Sequence, residues 1–344
     1  MKSQIIAELG KVYIVAELSG NHGGDIRNAK LLIDKAKEAG VDAVKLQTYT
    51  ADTITLDCHN AYFDVPDGLW SGKNYYELYQ EAHTPWEWHK ELNDYAKQLG
   101  LTLFSTPFDE TAVDFLETTL QPPFYKIASF ELTHIPLLEK VAQTCKPVIM
   151  STGMATEAEI GEAVDTLRSH GCPEIVLLKC ISQYPADPKA FHLNTLPLLR
   201  EKFHCAVGIS DHSIGDVVVL GAVALGACFV EKHIVLSRDA DAVDAAFSST
   251  PEEFADLVKK IRLLSAAMGK AHIGPSSQEM SELRSRRSIF VSKDMRKGDI
   301  FSPENIKIVR PSNGLAPKFW HDVLGKRANR ALERGQPLSY DSVE

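Results

Sequence analysis

The sequence has little of what marks a membrane, secreted or nucleic-acid-binding protein. None of its apolar runs approaches the roughly 20 residues of a membrane span, and residues 1–18 show no secretory cleavage pattern. The six cysteines are scattered and form no C-x-x-C pair, which disfavours a disulfide framework or a closed zinc site. The net charge is −9, without any block of Lys or Arg, which disfavours nucleic-acid binding. We expect a cytoplasmic protein with reduced thiols.

The composition is that of a soluble globular protein, with 44% apolar and 24% charged residues. A chain of 344 residues exceeds the usual size of one domain. One large domain with a small one beside it is therefore the expected organisation.

Short apolar runs alternate with amphipathic stretches along residues 13–268, which is typical of repeated βα units. Strands are predicted at 13–17, 43–47, 101–105, 124–127, 148–151, 175–179, 206–209 and 229–231. Helices are predicted at 28–39, 85–99, 110–118, 136–143, 156–169, 195–202, 216–225 and 251–268, with Thr84 and Thr250 as N-caps. Eight such units in succession favour a closed (β/α)8 TIM barrel over an open doubly wound sheet.

Two stretches depart from this alternation. Residues 48–82 form a long irregular segment, and such segments inside a compact domain are usually functional. Past residue 268, a linker containing Gly, Pro and Ser leads into short β-like runs. We predict a barrel over 1–268, a linker over 269–284 and a small β-rich domain over 285–344. The small domain is short for a self-sufficient core, so we expect it to dock on another surface.

All eight predicted strands carry polar residues at or just beyond their C-terminal ends, where a barrel places its active site. Taken singly, each could be a solvated rim residue. Together they favour a ligand site, because buried charges need partners. One set offers ammonium and hydroxyl groups that suit a phosphate or carboxylate, namely Lys45, Lys126, Lys179, Lys232, Ser105, Thr106, Ser129, Ser151 and Thr152.

A second set combines imidazoles with carboxylates, namely Glu17, Asp211, His212, Glu231, His233 and Asp244. His212 and His233 follow adjacent predicted strands, and with carboxylates nearby they match the ligands of a divalent metal such as Mn2+, Zn2+ or Co2+. The residues alone leave open whether one histidine is instead an acid–base group or part of the core.

These motifs resemble those of the sialic acid synthase family, the phosphoenolpyruvate-dependent nonulosonate synthases. The similarity lies in AELSGNHGG at 16–24, KLQT at 45–48, STPF at 105–108, KIAS at 126–129, STGM at 151–154, GISDH at 208–212 and EKH at 231–233. The C-terminal segment is similar to that family's antifreeze-like (SAF) domain. Loops at 47–56, 68–79, 84–89, 128–131 and 310–315 are most similar to the branch of the family that makes pseudaminic acid.

The resemblance implies a reaction. Phosphoenolpyruvate condenses with the open-chain aldehyde of a 2,4-diacetamido-2,4,6-trideoxy hexose of the L-altro configuration. Water attacks C2, and phosphate leaves by C–O cleavage. The resemblance also implies a divalent metal on His212 and His233, with Mn2+ as the first expectation and Mg2+ or Co2+ as alternatives.

The resemblance further implies a role for each site residue. Glu17 would orient the sugar or move a proton, and Glu231 and Asp244 would lie near the metal and its water. Arg310 would reach the sugar in a neighbouring subunit's barrel, which implies a domain-swapped homodimer. Phosphoenolpyruvate would be bound by Lys45, Thr106, Lys126, Ser129, Ser151 and Ser210, with Gln47, Ser182 and Tyr184 helping to seat the ligands.

Two departures from the family pattern concern sugar recognition. Ile181 stands where relatives often carry Thr, and residues 239–248 lack the Gly-Pro-Asp-His of neuraminate-making relatives. The alternatives are an N-acetylneuraminate or legionaminate synthase, a Schiff-base barrel aldolase that uses Lys126 or Lys179, and a non-catalytic antifreeze-like protein. The polar barrel rim argues against the last.

Overall fold

The computed structural model describes residues 12–240 and 242–344. The expectation that the chain begins without a secretory signal rests mainly on residues 1–11, which lie outside the described residues. The chain divides into two compact units between Gly269 and Lys270. Within the described ranges, no helix is both long and apolar enough to cross a membrane.

The first unit is built on eight parallel strands: β1 (Tyr13–Glu17), β2 (Ala43–Thr48), β3 (Thr102–Pro107), β4 (Tyr125–Ile127), β5 (Val148–Ser151), β6 (Ile175–Cys180), β7 (Ala206–Asp211) and β8 (Phe229–His233). Hydrogen bonding joins them in the order β3-β2-β1-β8-β7-β6-β5-β4. The two end strands of this order, β3 and β4, contact each other and bring the sheet close to closure. The predicted barrel is confirmed.

Helices follow the strands and cover the outside of the barrel. The helix Ile26–Ala39 shows why these segments fold as they do, because its buried residues Ala29, Leu32 and Ile33 share one face. Gly40 ends this helix with a positive φ of 84°, a conformation that glycine adopts without steric cost. The other α-helices are Ala51–Ile54, Tyr75–Ala82, Trp88–Gln98, Glu110–Thr119, Ile135–Ala142, Glu157–Ser169, Thr195–Phe203, Val217–Ala224, Pro251–Met268 and, in the second unit, Trp320–Val323.

Two threonines were predicted to be N-caps. The prediction is confirmed for Thr250 and wrong for Thr84. Thr250 caps Pro251–Met268 in a reciprocal capping box with Glu253. Thr84 caps no helix, because residues 85–87 form a turn and the next helix begins only at Trp88. The Thr84 hydroxyl instead lies 3.1 Å from Nε2 of His22. The segment predicted as irregular at 48–82 also contains the helices Ala51–Ile54 and Tyr75–Ala82.

Strand alternation fills the barrel interior in two layers. The lower layer is apolar, and burying each of its larger side chains contributes about 1.5–3 kcal/mol. Its described members are Val15, Ala43, Phe104, Phe124, Ile149, Val176, Leu178 and Phe229. Two residues further along the strands, the inward positions change character and form a polar layer at the C-terminal rim. This layer consists of Glu17, Lys45, Thr106, Lys126, Ser151, Cys180, Ser210 and Glu231.

The second unit has its own small core. Its strands β9 (Ser288–Val291) and β10 (Ile306–Val309) pair antiparallel. Ile289, Val291, Phe301 and Ile306 are among the residues buried there. Short 3-10 turns complete it at Met280–Ser285, Pro317–Phe319 and Tyr340–Ser342. The prediction of a small β-rich C-terminal domain is confirmed.

Candidate active site

A quartet of buried charges lies at the centre of the barrel rim. Lys45 Nζ lies 2.6 Å from Glu17 Oε2 and 3.2 Å from Glu231 Oε1. Lys126 Nζ lies 3.3 Å from Glu231 Oε1. These residues come from β1, β2, β4 and β8, so strands distant in sequence converge on one point. Two ammonium groups held this close are prepared to receive an anion, since their desolvation is already offset by the carboxylates.

The environments of the two carboxylates drive their pKa values apart. Burial raises the pKa of Glu17 above its usual range, although Lys45 opposes the shift. Burial would also raise the pKa of Glu231, but Lys126 and Lys45 outweigh it and bring this pKa to about 2. Glu231 is therefore held ionised, and Glu17 is the carboxyl group suited to carry a proton.

The two lysines also differ from each other. Burial alone would lower the pKa of Lys45, but the charges of Glu17 and Glu231 keep it raised. Burial lowers the pKa of Lys126, and its neighbour Glu231 only partly compensates. Lys126 therefore gains more than Lys45 from a further negative charge in the site.

Hydroxyl groups form a cradle beside the quartet. The buried Oγ atoms of Ser151 and Ser182 have no hydrogen-bond partner among the residues that the structure describes. Ser129 Oγ accepts a hydrogen bond from the Gly153 backbone N–H at 3.0 Å. A Cβ built on Gly153 would overlap with the hydroxyls of Ser129 and Ser182, so only glycine leaves this space open. Unpartnered donors beside two ammonium groups suit the oxygens of a phosphate or carboxylate.

Three further predicted ligand-binding residues join the quartet directly. Thr106 Oγ1 accepts a hydrogen bond from Lys45 Nζ at 3.1 Å. Ser210 Oγ donates to Glu231 Oε1 at 3.3 Å, and Gln47 Nε2 donates to Glu17 Oε1 at 3.4 Å. The structure therefore brings these residues to the same place as the charges.

His212 and His233 lie side by side, with ring centroids 5.3 Å apart. Nδ1 of His212 lies 2.9 Å from the Ile181 carbonyl oxygen, so it carries a proton and leaves Nε2 for another ligand. Nδ1 of His233 is buried and finds no hydrogen-bond partner within the described part of the chain. Burial, followed by the charge of His212, lowers the pKa of His233 well below its usual value, which keeps this ring neutral. A neutral imidazole is the form that binds metals.

This donor set fits a divalent metal on two nitrogens, with its other positions left to substrate and water. Within the ranges that the structure describes, no group of three or more His, Cys, Asp and Glu forms a ready-made metal cluster. Asp244 is the nearest carboxylate to this pair, with Oδ2 3.7 Å from His233 Nδ1. Burial raises the pKa of Asp244, although Ser19 donates a hydrogen bond to it.

The ring of Tyr184 packs against the His212–His233 pair. Its centroid lies 4.5 Å from that of His212 and 5.1 Å from that of Phe247. Tyr184 therefore lies beside His212, whereas Ser182 lies with Ser129 around Gly153. Arg310, by contrast, lies exposed directly after β10 in the second unit.

Two of the four lysines assigned to the anion site do not face it. Because Leu178 and Cys180 point into the barrel, the alternation of β6 turns Lys179 to the outside. Lys232 also points outward, where its Nζ lies 2.6 Å from Asp211 Oδ2 and donates to the Ser213 carbonyl oxygen. Their predicted place in the cationic set was wrong, and Lys45 and Lys126 remain.

The Asp211–Lys232 pair gives a prediction about stability. Asp211→Asn is expected to cost about 3–5 kcal/mol of unfolding free energy, because Lys232 would be left buried without its counter-charge. Urea denaturation measures this. The control is Asp94→Asn, which breaks the exposed pair with Lys90 and should cost at most about 1 kcal/mol. Equal losses in the two variants would contradict the buried-pair argument.

The structure adds two residues that the sequence reasoning left out of the site. Cys180 points inward, with Sγ 3.9 Å from Nδ1 of His212. Burial would lower the pKa of His212, but Cys180 raises it, so a proton and a metal would compete for this ring. Glu131 is buried in the turn Ser129–Glu131, and its Oε2 has no hydrogen-bond partner. Neither residue carries a periodic signal, because both faces of the run at 175–180 are buried and Glu131 lies in a turn after a strand end.

Glu131 gives a prediction about pH. Burial raises its pKa from the ordinary 4.5 to about 7, against the opposing charge of Lys126. The stability that this carboxyl contributes is fully present below pH 4.5 and is lost as pH rises towards 7. Between these values the wild type should lose about 3 kcal/mol relative to Glu131→Gln. Urea denaturation across this range tests it, with the exposed Glu77→Gln as control. Parallel curves for the wild type and Glu131→Gln would contradict it.

The rim of this near-closed barrel carries two ammonium groups, unpartnered hydroxyls and a pair of imidazoles. These features define a (β/α)8-barrel enzyme with a site suited to an anionic substrate. Comparison with known proteins narrows this class. Residues 32–273 match the NeuB family and residues 286–344 match the SAF domain. The chain belongs to the NeuB family, so the predicted membership of the sialic acid synthases is confirmed.

Relatives of this chain match it over nearly its whole length. The pseudaminic acid synthase of Helicobacter pylori is 42% identical, over 96% of this chain and 97% of that protein. The pseudaminic acid synthase of Campylobacter jejuni is 41% identical, over 95% of both chains. Among solved structures, the spore coat polysaccharide biosynthesis protein SpsE of Bacillus subtilis matches with a TM-score of 0.65 and 32% identity, over 97% of this chain and 95% of that chain.

Proposed function

We propose that this chain is a pseudaminic acid synthase. It condenses phosphoenolpyruvate with 2,4-diacetamido-2,4,6-trideoxy-β-L-altropyranose and water, and it releases pseudaminic acid and phosphate. The observation that carries the proposal is the convergence of Lys45 and Lys126 with unpartnered hydroxyls beside the His212–His233 pair. The similarity to the pseudaminic acid synthases of Helicobacter pylori and Campylobacter jejuni supports the choice of sugar.

The anionic substrate is bound by the lysines and hydroxyls. The ammonium groups of Lys45 and Lys126 neutralise the phosphate and carboxylate of phosphoenolpyruvate. The remaining oxygens accept hydrogen bonds from Thr106, Ser129, Ser151, Ser182 and Ser210. This arrangement fixes phosphoenolpyruvate with one face turned towards the histidines, so that its C3 carbon can attack the aldehyde.

Each chemical step transfers protons, and the carboxyl groups of the site can donate or accept them. C3 of phosphoenolpyruvate forms a bond to the aldehyde carbon, and the aldehyde oxygen takes up a proton to become a hydroxyl group. Water then adds to C2 and loses one proton. Phosphate leaves with the bridging oxygen and takes up a proton, while the new C2 hydroxyl loses its proton to become the ketone. Glu17, with its raised pKa, orients the sugar or moves one of these protons. Glu231 and Asp244 hold and orient the water beside the histidines.

A divalent metal belongs to this proposal. His212 and His233 would hold it, and it would polarise the aldehyde oxygen of the sugar. Mn2+ is our first choice, and Mg2+ and Co2+ are the alternatives, because imidazole together with carboxylate and water suits all three. A cytoplasmic location is also part of the proposal, and the free thiols of all six cysteines support it.

We extend the proposal to a domain-swapped homodimer in which Arg310 reaches the sugar in a neighbouring barrel. Charge complementarity supports this, since residues 270–344 carry 14 Lys and Arg against nine Asp and Glu in a chain of net charge −9. The small core of this unit also favours docking on a larger surface.

Arg310→Ala is expected to raise KM for the sugar about tenfold or more, with little change in KM for phosphoenolpyruvate. The reason is that it removes a charged hydrogen-bond donor worth about 1.5–3 kcal/mol to the sugar alone. Steady-state kinetics measures both constants, and the exposed Arg296→Ala in the same unit is the control. Equal effects of both variants on the sugar would contradict the assignment.

The proposed substrate is tested by competition. The enzyme is incubated with phosphoenolpyruvate and equal amounts of three sugars, namely the L-altro diacetamido sugar proposed above, the legionaminic precursor and N-acetylmannosamine. The acids formed are identified by mass spectrometry. We expect pseudaminic acid as the main product. Preference for either competing sugar would make the chain a legionaminate or N-acetylneuraminate synthase instead.

A further inference from the structure

The segment after β2 projects one tryptophan over the barrel rim. Residues 63–75, named here the Trp70 hairpin, fold back on themselves. The Val65 backbone N–H donates to Lys73 at 2.9 Å, and that of Tyr75 donates to Phe63 at 2.8 Å. Trp70 lies in the turn between these two arms. The hairpin therefore holds Trp70 in place independently of any ligand.

Trp70 joins the loops that follow β2, β6 and β8. Its Nε1–H donates to the Val243 carbonyl oxygen at 3.0 Å. Its ring centroid lies 5.5 Å from that of Tyr184, and the Tyr184 ring lies 4.5 Å from that of His212. The Phe247 ring lies 5.1 Å from that of Tyr184 and 5.0 Å from that of His233. An aromatic surface therefore runs outward from the histidines and ends at the indole.

The length of this surface matches the sugar. The rings of Trp70 and His212 are at most about 10 Å apart, given their separations from Tyr184. Five C–C bonds of about 1.5 Å carry an extended six-carbon chain about 6 Å. An extended sugar that runs along this surface from the histidines can therefore place its sixth carbon beside Tyr184 and Trp70.

The chemistry of the surface suits the last carbon of a 6-deoxy sugar. Aromatic faces bind a methyl group well, and they leave a hydroxyl in the same place without a partner. The carboxyl groups Glu17, Glu131 and Asp244 also lie on the rim, at the end of β1 and after β4 and β8. The hydroxyl and acetamido groups of the sugar would bind to these carboxyl groups.

We propose that Trp70 and Tyr184 bind the C6 methyl group of the sugar and that Trp70 is a specificity-determining residue for 6-deoxy substrates. This rests on the proposed function, because it takes the aldehyde end of a hexose to lie at the His212–His233 pair. Trp70 thereby gives a role to the loop motif at 68–70, which the proposed chemistry does not itself require.

Steady-state kinetics with two sugars tests the proposal. They are the 6-deoxy diacetamido hexose and its analogue with a hydroxyl group at C6. Trp70→Ala should lower kcat/KM for the 6-deoxy sugar about 10- to 100-fold, mainly by raising KM. The same substitution should change kcat/KM for the 6-hydroxy analogue much less. Trp70→Phe keeps an aromatic face without the N–H donor, so it should keep most of the preference. The exposed Tyr62→Ala on the same segment is the control.

The outcomes separate this proposal from the proposed function. If the wild type uses the 6-deoxy sugar and Trp70→Ala slows both sugars equally, the role of Trp70 in specificity is overturned while the proposed function stands. A wild type that makes product from N-acetylmannosamine but not from the 6-deoxy sugar would overturn both. Loss of preference in Trp70→Ala but not in Trp70→Phe or Tyr62→Ala supports the assignment.

Discussion

Replacing either His212 or His233 by alanine is expected to reduce kcat/KM by at least about 10³-fold. In the proposed mechanism each histidine would supply one of the two nitrogens that hold a carbonyl-activating metal, and such activation would contribute several kcal/mol to the transition state. The two rings are neighbours on adjacent strand ends, so loss of one leaves a single nitrogen ligand. Steady-state kinetics with added Mn2+ measures the loss, and titration of each variant with Mn2+ measures metal affinity directly.

The control is the exposed His170→Ala, which should keep both full activity and the wild-type affinity for Mn2+. Circular dichroism would verify that the active-site variants are folded. Retained activity in both His212→Ala and His233→Ala would defeat the metal assignment. A loss of activity with unchanged affinity for Mn2+ would instead make the histidines acid–base groups.

Lys126→Met is expected to reduce kcat/KM for phosphoenolpyruvate about 10²- to 10³-fold. Methionine keeps most of the side-chain length but removes the buried ammonium group that lies beside Glu231. Removing one partner from a desolvated charge pair costs about 2–5 kcal/mol of binding. The effect should fall on phosphoenolpyruvate rather than on the sugar, since the sugar carries no charge.

Lys179→Met is the matched control, because it makes the same change on a neighbouring strand where the lysine points out of the barrel. It should keep kcat/KM within about twofold of the wild type, because substitutions outside the site usually have small effects. Borohydride reduction with substrate present should trap no adduct on either lysine. Trapping on Lys126 or Lys179 would favour the Schiff-base aldolase.

The sequence was sufficient to predict the barrel, because eight short apolar runs alternate with amphipathic stretches. The sequence also predicted most of the site residues, since the C-terminal ends of parallel strands lie at one rim of the barrel. Glu17, Lys45, Lys126 and Glu231 were each predicted from a strand end, and all four meet in one quartet. That outcome depends on the order of the strands and on the inward direction of all four side chains.

What the sequence could not decide was the direction of side chains within uniformly apolar strands. In IVLLKC at 175–180, both faces are buried, so the run gives no sign that Cys180 rather than Lys179 points inward. The Asp211–Lys232 pair could not be predicted either. It requires both side chains to point out of the barrel and depends on the register between β7 and β8. Glu131 and Trp70 lie in turns, whose conformation depends on tertiary contacts rather than on periodicity.

The central claim is tested most directly by phosphate release from phosphoenolpyruvate. The purified enzyme is assayed with and without the 6-deoxy diacetamido sugar, and each reaction is repeated with a metal chelator and after Mn2+ is restored. We expect release only when both substrates are present, its loss with chelator and its return with Mn2+. Release without the sugar, or full activity in the presence of the chelator, would contradict a metal-dependent condensation at this site.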